Sequence, residues 1–151
     1  YGVGKAGVER MVKDMAIELV DDDICVVSFW PGLVYTERTK ELVESGEWEK
    51  HVGLPLGQSE YPGFTGRAIV AVACDPDNDK KTGTYQVVAE LAEEYGFTDL
   101  DGSRPASIRS LRFLLPSYAF DEKTRERIPT SRIPDWKLPF WILAGGKGGK
   151  K

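Results

Sequence analysis

The stretch that decides the fold is residues 1–36, which contain Tyr1-Gly-Val-Gly-Lys5, the segment Asp23-Ile-Cys-Val-Val-Ser-Phe-Trp30 and Pro31-Gly-Leu-Val-Tyr-Thr36. Apolar residues at three- and four-residue spacing predict one amphipathic helix from about Gly2 to Val20. The following β-branched and aromatic segment is typical of a strand buried on both faces of a parallel sheet. In open α/β sheets ligands bind beyond the carboxyl ends of such strands, where Pro31-Gly32 stands. The sequence therefore predicts an α/β fold with a site at this turn.

Tyr1 and Lys5 are the candidate reactive pair, because four residues separate them and both side chains then lie on one face of the helix. A free phenol has a pKa of about 10, and a nearby ammonium stabilises the phenolate and lowers that pKa. A phenol tuned in this way serves as a general acid or base. Both residue types are common, so the pair by itself is more often two partly solvated positions on a helix than a catalytic pair. The strand and the turn that follow it favour the catalytic interpretation.

The combination of Tyr1-x-x-x-Lys5 with Pro31-Gly-x-x-x-Thr36, about two dozen residues later, resembles the second half of a short-chain dehydrogenase/reductase. Residues 66–76 and 91–102 resemble one branch of that family. The resemblance implies the carboxyl-terminal half of a Rossmann-like doubly wound parallel sheet, with the first half and its glycine-rich phosphate loop absent. It further implies a catalytic half over residues 1–102 and a carboxyl-terminal extension over residues 103–151, which packs on the domain or on a membrane interface.

By the same resemblance, the complete protein is an NAD(P)-dependent oxidoreductase that transfers hydride between its nicotinamide cofactor and a carbonyl or alcohol. Tyr1 would be the general acid/base, and Lys5 would bind the cofactor ribose and lower the pKa of Tyr1. The other implied cofactor-binding residues are Pro31, Gly32, Val34 and Thr36. The resemblance favours NADP over NAD and implies a homo-oligomer. The portion from residue 1 to 151 alone is expected to be inactive and to bind cofactor poorly.

Two other functions fit part of the pattern. Extended short-chain epimerases and dehydratases also use Tyr-x-x-x-Lys, but they usually carry an Asn-Val-Tyr-Gly-Pro-like segment at the position of residues 31–36. A non-catalytic interaction module is the alternative from another class, with peripheral membrane contact through residues 134–151. That region is aromatic, apolar and followed by lysines, yet it is much shorter than the ~20 residues of a spanning helix.

Composition excludes several classes of site. The net charge of -4 argues against a nucleic-acid-binding surface, for which a basic patch is expected. Cys25 and Cys74 lie far apart and predict two buried, reduced thiols, and His51 has no neighbouring ligand spacing, so no metal site is expected. The expected location is the cytoplasm, with an association with the endoplasmic reticulum membrane implied by the resemblance.

The remainder of the chain predicts shorter elements. A charged helix from Glu37 to about Lys50 fits either a substrate lid or an ordinary surface helix. Ser59 is the expected cap of a helix that runs to Cys74, with Ile69 on its apolar side together with Phe64, Ala68, Val72 and Ala73. Residues 82–89 predict a strand, and residues 91–95 a short helix that is closed by Gly96.

Overall fold

The structure, a computed structural model, describes residues 2–140 and 142. It is an α/β arrangement of helices around two small parallel sheets. The helices are α1 (Gly2–Glu18), α2 (Glu37–Glu44), α3 (Trp48–His51), α4 (Pro62–Cys74), α5 (Val88–Tyr95), α6 (Leu111–Leu114) and α7 (Glu122–Arg127). The strands are β1 (Val27–Trp30), β2 (Leu33–Val34), β3 (Ser59–Glu60) and β4 (Thr84–Val87).

Both sheets pair strands that are distant in sequence. β1 runs parallel to β4 with Trp30 opposite Val87, and β2 runs parallel to β3 with Val34 opposite Glu60. The prediction of parallel strands is confirmed. The first strand is shorter than predicted, and Ser28 is its one buried residue. In the described part of the chain β1 has β4 as its single neighbour, so most of its side chains keep some exposure.

Helix α1 packs across β1 and β4 through Val12 and Ala16, which are buried. Gly83 permits this approach, because a Cβ on it would lie 3.2 Å from the Cβ of Ala16. Its φ of 71° also favours glycine. Val8 and Met11 remain exposed, so the predicted apolar stripe of α1 is only partly buried.

The hydrophobic core lies between α4, β4 and α5. It consists of Phe64, Ala68, Val72, Val87, Val88, Ala89, Leu91 and Ala92. The Phe64 ring meets the Phe97 ring edge to face, with 5.4 Å between the ring centroids. Ile69 was placed on the apolar side of α4 by the sequence, but it is 47% exposed. Helix α4 therefore turns a narrower face to the core than its composition suggests.

Several predicted boundaries were wrong for local reasons. Ser59 does not cap α4; it lies in β3, and its hydroxyl donates to the carbonyl of Leu56. The predicted strand over residues 82–89 ends at Val87, because α5 already begins at Val88. The charged helix is divided at Gly46, which has a φ of 70°. The closure of α5 by Gly96, with a φ of 75°, is confirmed.

The segment after residue 102 is fastened to α5 by charged and polar contacts. The guanidinium of Arg109 donates to both carboxylate oxygens of Glu90 at 2.8 and 2.9 Å, and the hydroxyl of Ser107 also donates to Glu90. Arg109 lies 4.0 Å from the centroid of the Phe140 ring. A paired, bidentate guanidinium in a partly buried setting is a specific link as well as a favourable one.

Three further observations concern the cysteines, metal sites and membrane-spanning helices. Cys25 is half-buried, whereas Cys74 is exposed, contrary to the predicted burial of both thiols. Across residues 2–140 and 142, no three His, Cys, Asp or Glu side chains are grouped so as to hold a metal ion. Over the same residues, no helix combines the length and the apolar character needed to cross a membrane.

Candidate functional site

A cleft of about 470 Å³ opens at the carboxyl end of β1, between this strand and α1. Four of the six predicted site residues line it: Lys5, Pro31, Gly32 and Val34. Val8, Glu9, Ser28, Phe29, Trp30 and Ile108 complete the lining. The structure thus brings a lysine from the first helix to the Pro-Gly turn that follows the strand. Tyr1, the fifth predicted residue, lies outside the described residues.

Lys5 lines the cleft because α1 packs on β1, which places the amino-terminal part of the helix near the end of that strand. Ser28, Phe29 and Trp30 line the cleft because they are the last three residues of β1. The described lining therefore combines the ammonium of Lys5 and the carboxylate of Glu9 with a hydroxyl and two aromatic side chains. Ile108 closes it from the carboxyl-terminal segment.

The Pro31-Gly32 turn is held from behind by Glu60, a residue that sequence reasoning missed. The amide of Gly32 donates to Oε2 of Glu60 at 3.1 Å, and the hydroxyl of Thr65 donates to Oε1 at 3.3 Å. Glu60 is only 1% exposed. Burial raises the pKa of its carboxyl above the ordinary value, the two hydrogen bonds oppose that rise, and the charge of Asp99 adds to it. Glu60 is buried because β3 pairs with β2, and no pattern among the neighbouring residues predicts that pairing.

Thr36, the sixth predicted residue, does not line the cleft. Its side chain caps α2 by accepting a hydrogen bond from the amide of Thr39 at 3.3 Å. The carbonyl of Val34 accepts from the hydroxyl of Thr39 at 3.1 Å and from the amide of Thr36 at 3.1 Å. These hydrogen bonds fix the start of α2 directly after the Pro-Gly turn. The Thr36 hydroxyl is itself hydrogen-bonded to Thr39.

A second cavity of about 570 Å³ adjoins the cleft on the other side of the turn. The two share Pro31, Gly32 and Ile108. Apolar side chains make up most of the remaining lining, namely Leu33, Leu54, Phe113, Leu114 and Ile142, with Tyr118 as the one hydroxyl-bearing member. An apolar space with few polar groups is typical of small-molecule sites.

The cleft residues fit one end of a nicotinamide nucleotide. Trp30 and Ile108 offer flat and apolar walls for a heteroaromatic ring, and the ammonium of Lys5 suits ribose hydroxyls. A pyrophosphate normally requires the amides of a glycine-rich loop at a helix N-terminus. The described lining of the cleft holds one lysine and no such loop. The residues present therefore match the nicotinamide–ribose end of the molecule and not its phosphates.

Comparison with curated proteins identifies relatives over nearly the whole chain. The mouse (Mus musculus) protein named Dehydrogenase/reductase SDR family member 1 is 32% identical over 149 residues, which cover 95% of this chain and 46% of that protein. The human (Homo sapiens) protein of the same name is 31% identical over 147 residues, covering 93% and 47%. The chain thus spans about half the length of the curated relatives it matches. No protein-family model matches the chain.

Proposed function

We propose that the chain belongs to the short-chain dehydrogenase/reductase family and is the catalytic portion of an NAD(P)-dependent oxidoreductase that acts on a carbonyl or alcohol. Its similarity to the two relatives supports this proposal. The observation that carries this proposal is the shared cleft of Lys5 and the Pro31-Gly32 turn. In sequence, Lys5 and the turn are separated by most of α1 and by β1. Their meeting at the end of a parallel strand is the arrangement that the family chemistry needs.

In the direction of reduction, the phenol of Tyr1 donates its proton to the carbonyl oxygen of the substrate. The ammonium of Lys5 stabilises the phenolate that remains and binds the ribose hydroxyls. Pro31 and Gly32 would form the wall beside a nicotinamide ring, and the backbone of Val34 would meet its carboxamide. The resemblance alone assigns Thr36 a contact with the carboxamide or a phosphate, since its side chain caps α2 and does not line the cleft. The cofactor, when bound, supplies the hydride, and the protein supplies orientation and electrostatics.

The fold proposed for the complete protein is a Rossmann-like doubly wound sheet of which this chain supplies the carboxyl-terminal half. The parallel pairing of β1 with β4 supports it, because residues 31–83 connect the two strands as a crossover. Residues 1–102 would form the catalytic half, and residues 103–151 an extension. NADP is favoured over NAD by resemblance alone. The adjoining apolar cavity is the proposed place for the substrate, so an apolar carbonyl compound is favoured.

The partners of the complete protein are also proposals. Exposed apolar side chains on α1, among them Met11 and Ile17, support a homo-oligomer. Trp136, which is 70% exposed, supports peripheral membrane contact through residues 134–151 at the endoplasmic reticulum, with the rest of the protein in the cytoplasm. Residues 141 and 143–151 of this segment lie outside the described part. Sedimentation of the protein and its binding to liposomes test these two proposals separately.

The test of the reaction is Tyr1→Phe in a complete protein that carries this chain. Removing the hydroxyl should lower turnover by at least about 100-fold, because the proton donor is lost, while cofactor binding stays nearly intact. Tyr61→Phe is the matched control, since Tyr61 is exposed, directly follows β3 and is not among the described residues that line either cavity. Turnover of Tyr1→Phe close to that of the unmodified protein would overturn the assignment.

A second test uses the chain of 151 residues by itself. The described lining of its cleft holds no glycine-rich loop at a helix N-terminus for the pyrophosphate, so its affinity for NADPH should be poor. Isothermal titration calorimetry of the isolated chain measures this directly. A dissociation constant in the micromolar range would contradict the expectation.

A further inference from the structure

Glu60 contacts the Pro-Gly turn and the strand after it at two separate points. Its carboxylate accepts from the amide of Gly32 at 3.1 Å, and its backbone carbonyl accepts from the amide of Tyr35 at 2.8 Å. One residue of β3 therefore fixes both ends of the segment from Gly32 to Tyr35. That segment includes the wall of the cleft and β2.

Little space is left beside the α-carbon of Gly32 where a side chain would stand. A Cβ on Gly32 would lie 3.1 Å from Oε2 of Glu60 and 3.7 Å from Cγ2 of Ile108. The backbone of Gly32 is thus confined by Glu60 and Ile108 while it also lines the cleft. A shift of the carboxylate would be transmitted to the cleft wall, because the carboxylate contacts Gly32 directly and Gly32 lines the cleft.

The ionisable nature of Glu60 is not explained by stability alone. A buried carboxylate is costly unless it is paired, and the hydrogen-bond partners that the structure gives Glu60 are an amide and a hydroxyl. A glutamine could accept from the same amide without the cost of burying a charge. The Glu60 carboxylate contacts the amide of Gly32, and Gly32 lines the cleft. An oxidised nicotinamide ring is cationic and a reduced ring is neutral, so a carboxylate at that place would distinguish between them.

We propose that Glu60 is a positioning residue of the nicotinamide cleft, which fixes the Gly32 amide and whose negative charge makes the cleft prefer the oxidised ring to the reduced one. This inference rests on the proposed function, since it takes the occupant of the cleft to be a nicotinamide. It assigns to Glu60 no contact with the substrate. Its action is transmitted through Gly32.

The test uses a complete protein that carries this chain, with three variants. Glu60→Ala removes the acceptor, Glu60→Gln keeps an acceptor and removes the charge, and Glu44→Gln is the control because Glu44 is an exposed glutamate at the end of α2. The first readout is hydrogen exchange of the Gly32 amide by nuclear magnetic resonance. Exchange should become at least about tenfold faster in Glu60→Ala, return toward the original rate in Glu60→Gln and stay unchanged in Glu44→Gln.

The second readout is the affinity for oxidised and for reduced nicotinamide mononucleotide, measured by the shift of the Gly32 resonance. The preference for the oxidised form should fall by about threefold or more in Glu60→Gln and remain in Glu44→Gln. A merely structural role would leave that ratio unchanged, because the glutamine keeps the turn in place. If Glu60→Ala fails to fold, Glu60→Gln alone decides through this ratio.

The possible results separate this inference from the proposed function. Unchanged Gly32 exchange in a folded Glu60→Ala, or an unchanged ratio in Glu60→Gln, would overturn the role of Glu60 even where the mononucleotide binds. Failure of both mononucleotides to shift Gly32 in the unmodified protein would overturn the nicotinamide cleft and, with it, the charge preference. In that case the exchange comparison still decides whether Glu60 holds the turn.

Discussion

Replacement of Gly32 by alanine gives a quantitative check on the packing of the cleft wall. Its backbone is not in the left-handed region, so alanine adds no backbone strain and should stabilise by about 0.4–1 kcal/mol through the unfolded state. The new Cβ, however, would stand 3.1 Å from the Glu60 carboxylate, which burial and two hydrogen bonds hold in place. Overpacking of this kind typically costs about 1–3 kcal/mol. The expected net effect is a loss of about 1 kcal/mol in the free energy of unfolding.

Gly66→Ala is the matched control for this substitution. Gly66 lies within α4, and a Cβ built on it meets no atom within 4 Å, so alanine should stabilise by about 0.8–1 kcal/mol through helix propensity. Urea unfolding followed by far-ultraviolet circular dichroism measures both variants. With a slope of about 2 kcal/mol/M, Gly32→Ala should lower the midpoint by about 0.5 M and Gly66→Ala should raise it by a similar amount. Stabilisation by Gly32→Ala equal to that by Gly66→Ala would refute the described contact with Glu60.

Three further predictions concern the core, a helix cap and pH. Phe64→Ala should lower the free energy of unfolding by about 3–5 kcal/mol, because Phe64 is fully buried. Ile69→Ala, on the exposed side of α4, should lower it far less. Equal losses in urea unfolding would contradict the orientation of α4. Thr36→Ala should cost about 1 kcal/mol by removing the cap of α2, and Thr36→Ser should restore it; thermal unfolding measures both, and a cost-free alanine would argue against the cap. Burial raises the pKa of Glu60, with the charge of Asp99 adding to that rise, so the folded state holds the Glu60 proton more tightly than the unfolded state. The contribution of Glu60 to stability therefore falls as pH rises from the ordinary carboxyl range through its folded pKa, and Glu60→Gln should gain stability relative to the unmodified protein over that interval. A relative loss in urea unfolding over the same interval would contradict the raised pKa.

The sequence predicted those features that depend on local pattern. The spacing of apolar residues in α1, the β-branched segment before Trp30 and the turn at Pro31-Gly32 each reflect a property of neighbouring residues. The structure accordingly shows a helix, a parallel strand and a turn in that order, and Lys5 with Gly32 in one cleft. The same local reasoning set the strand ends too far out, because hydrogen bonding to β4, and not composition, determines where β1 begins.

Features that depend on distant pairing were not accessible to the sequence. From the sequence, Glu60 is a polar residue that precedes a predicted helix. The pairing of β2 with β3 buries it against Gly32. Ile108 likewise reads as part of an irregular tail, yet it separates the cleft from the apolar cavity. In both cases the decisive partner lies at least 28 residues away in the chain. No periodicity within either segment carries that information.

The one-sided pairing of β1 has a practical consequence for work with this chain in isolation. In the part of the chain that the structure describes, the side of Val27–Trp30 turned away from β4 offers its backbone amides and carbonyls to no other strand. An unpaired strand edge can pair with a strand of another molecule. A two-stranded sheet by itself has only marginal stability. The isolated chain of 151 residues should therefore self-associate as its concentration rises. Preparations in which another strand covers that border should stay in solution.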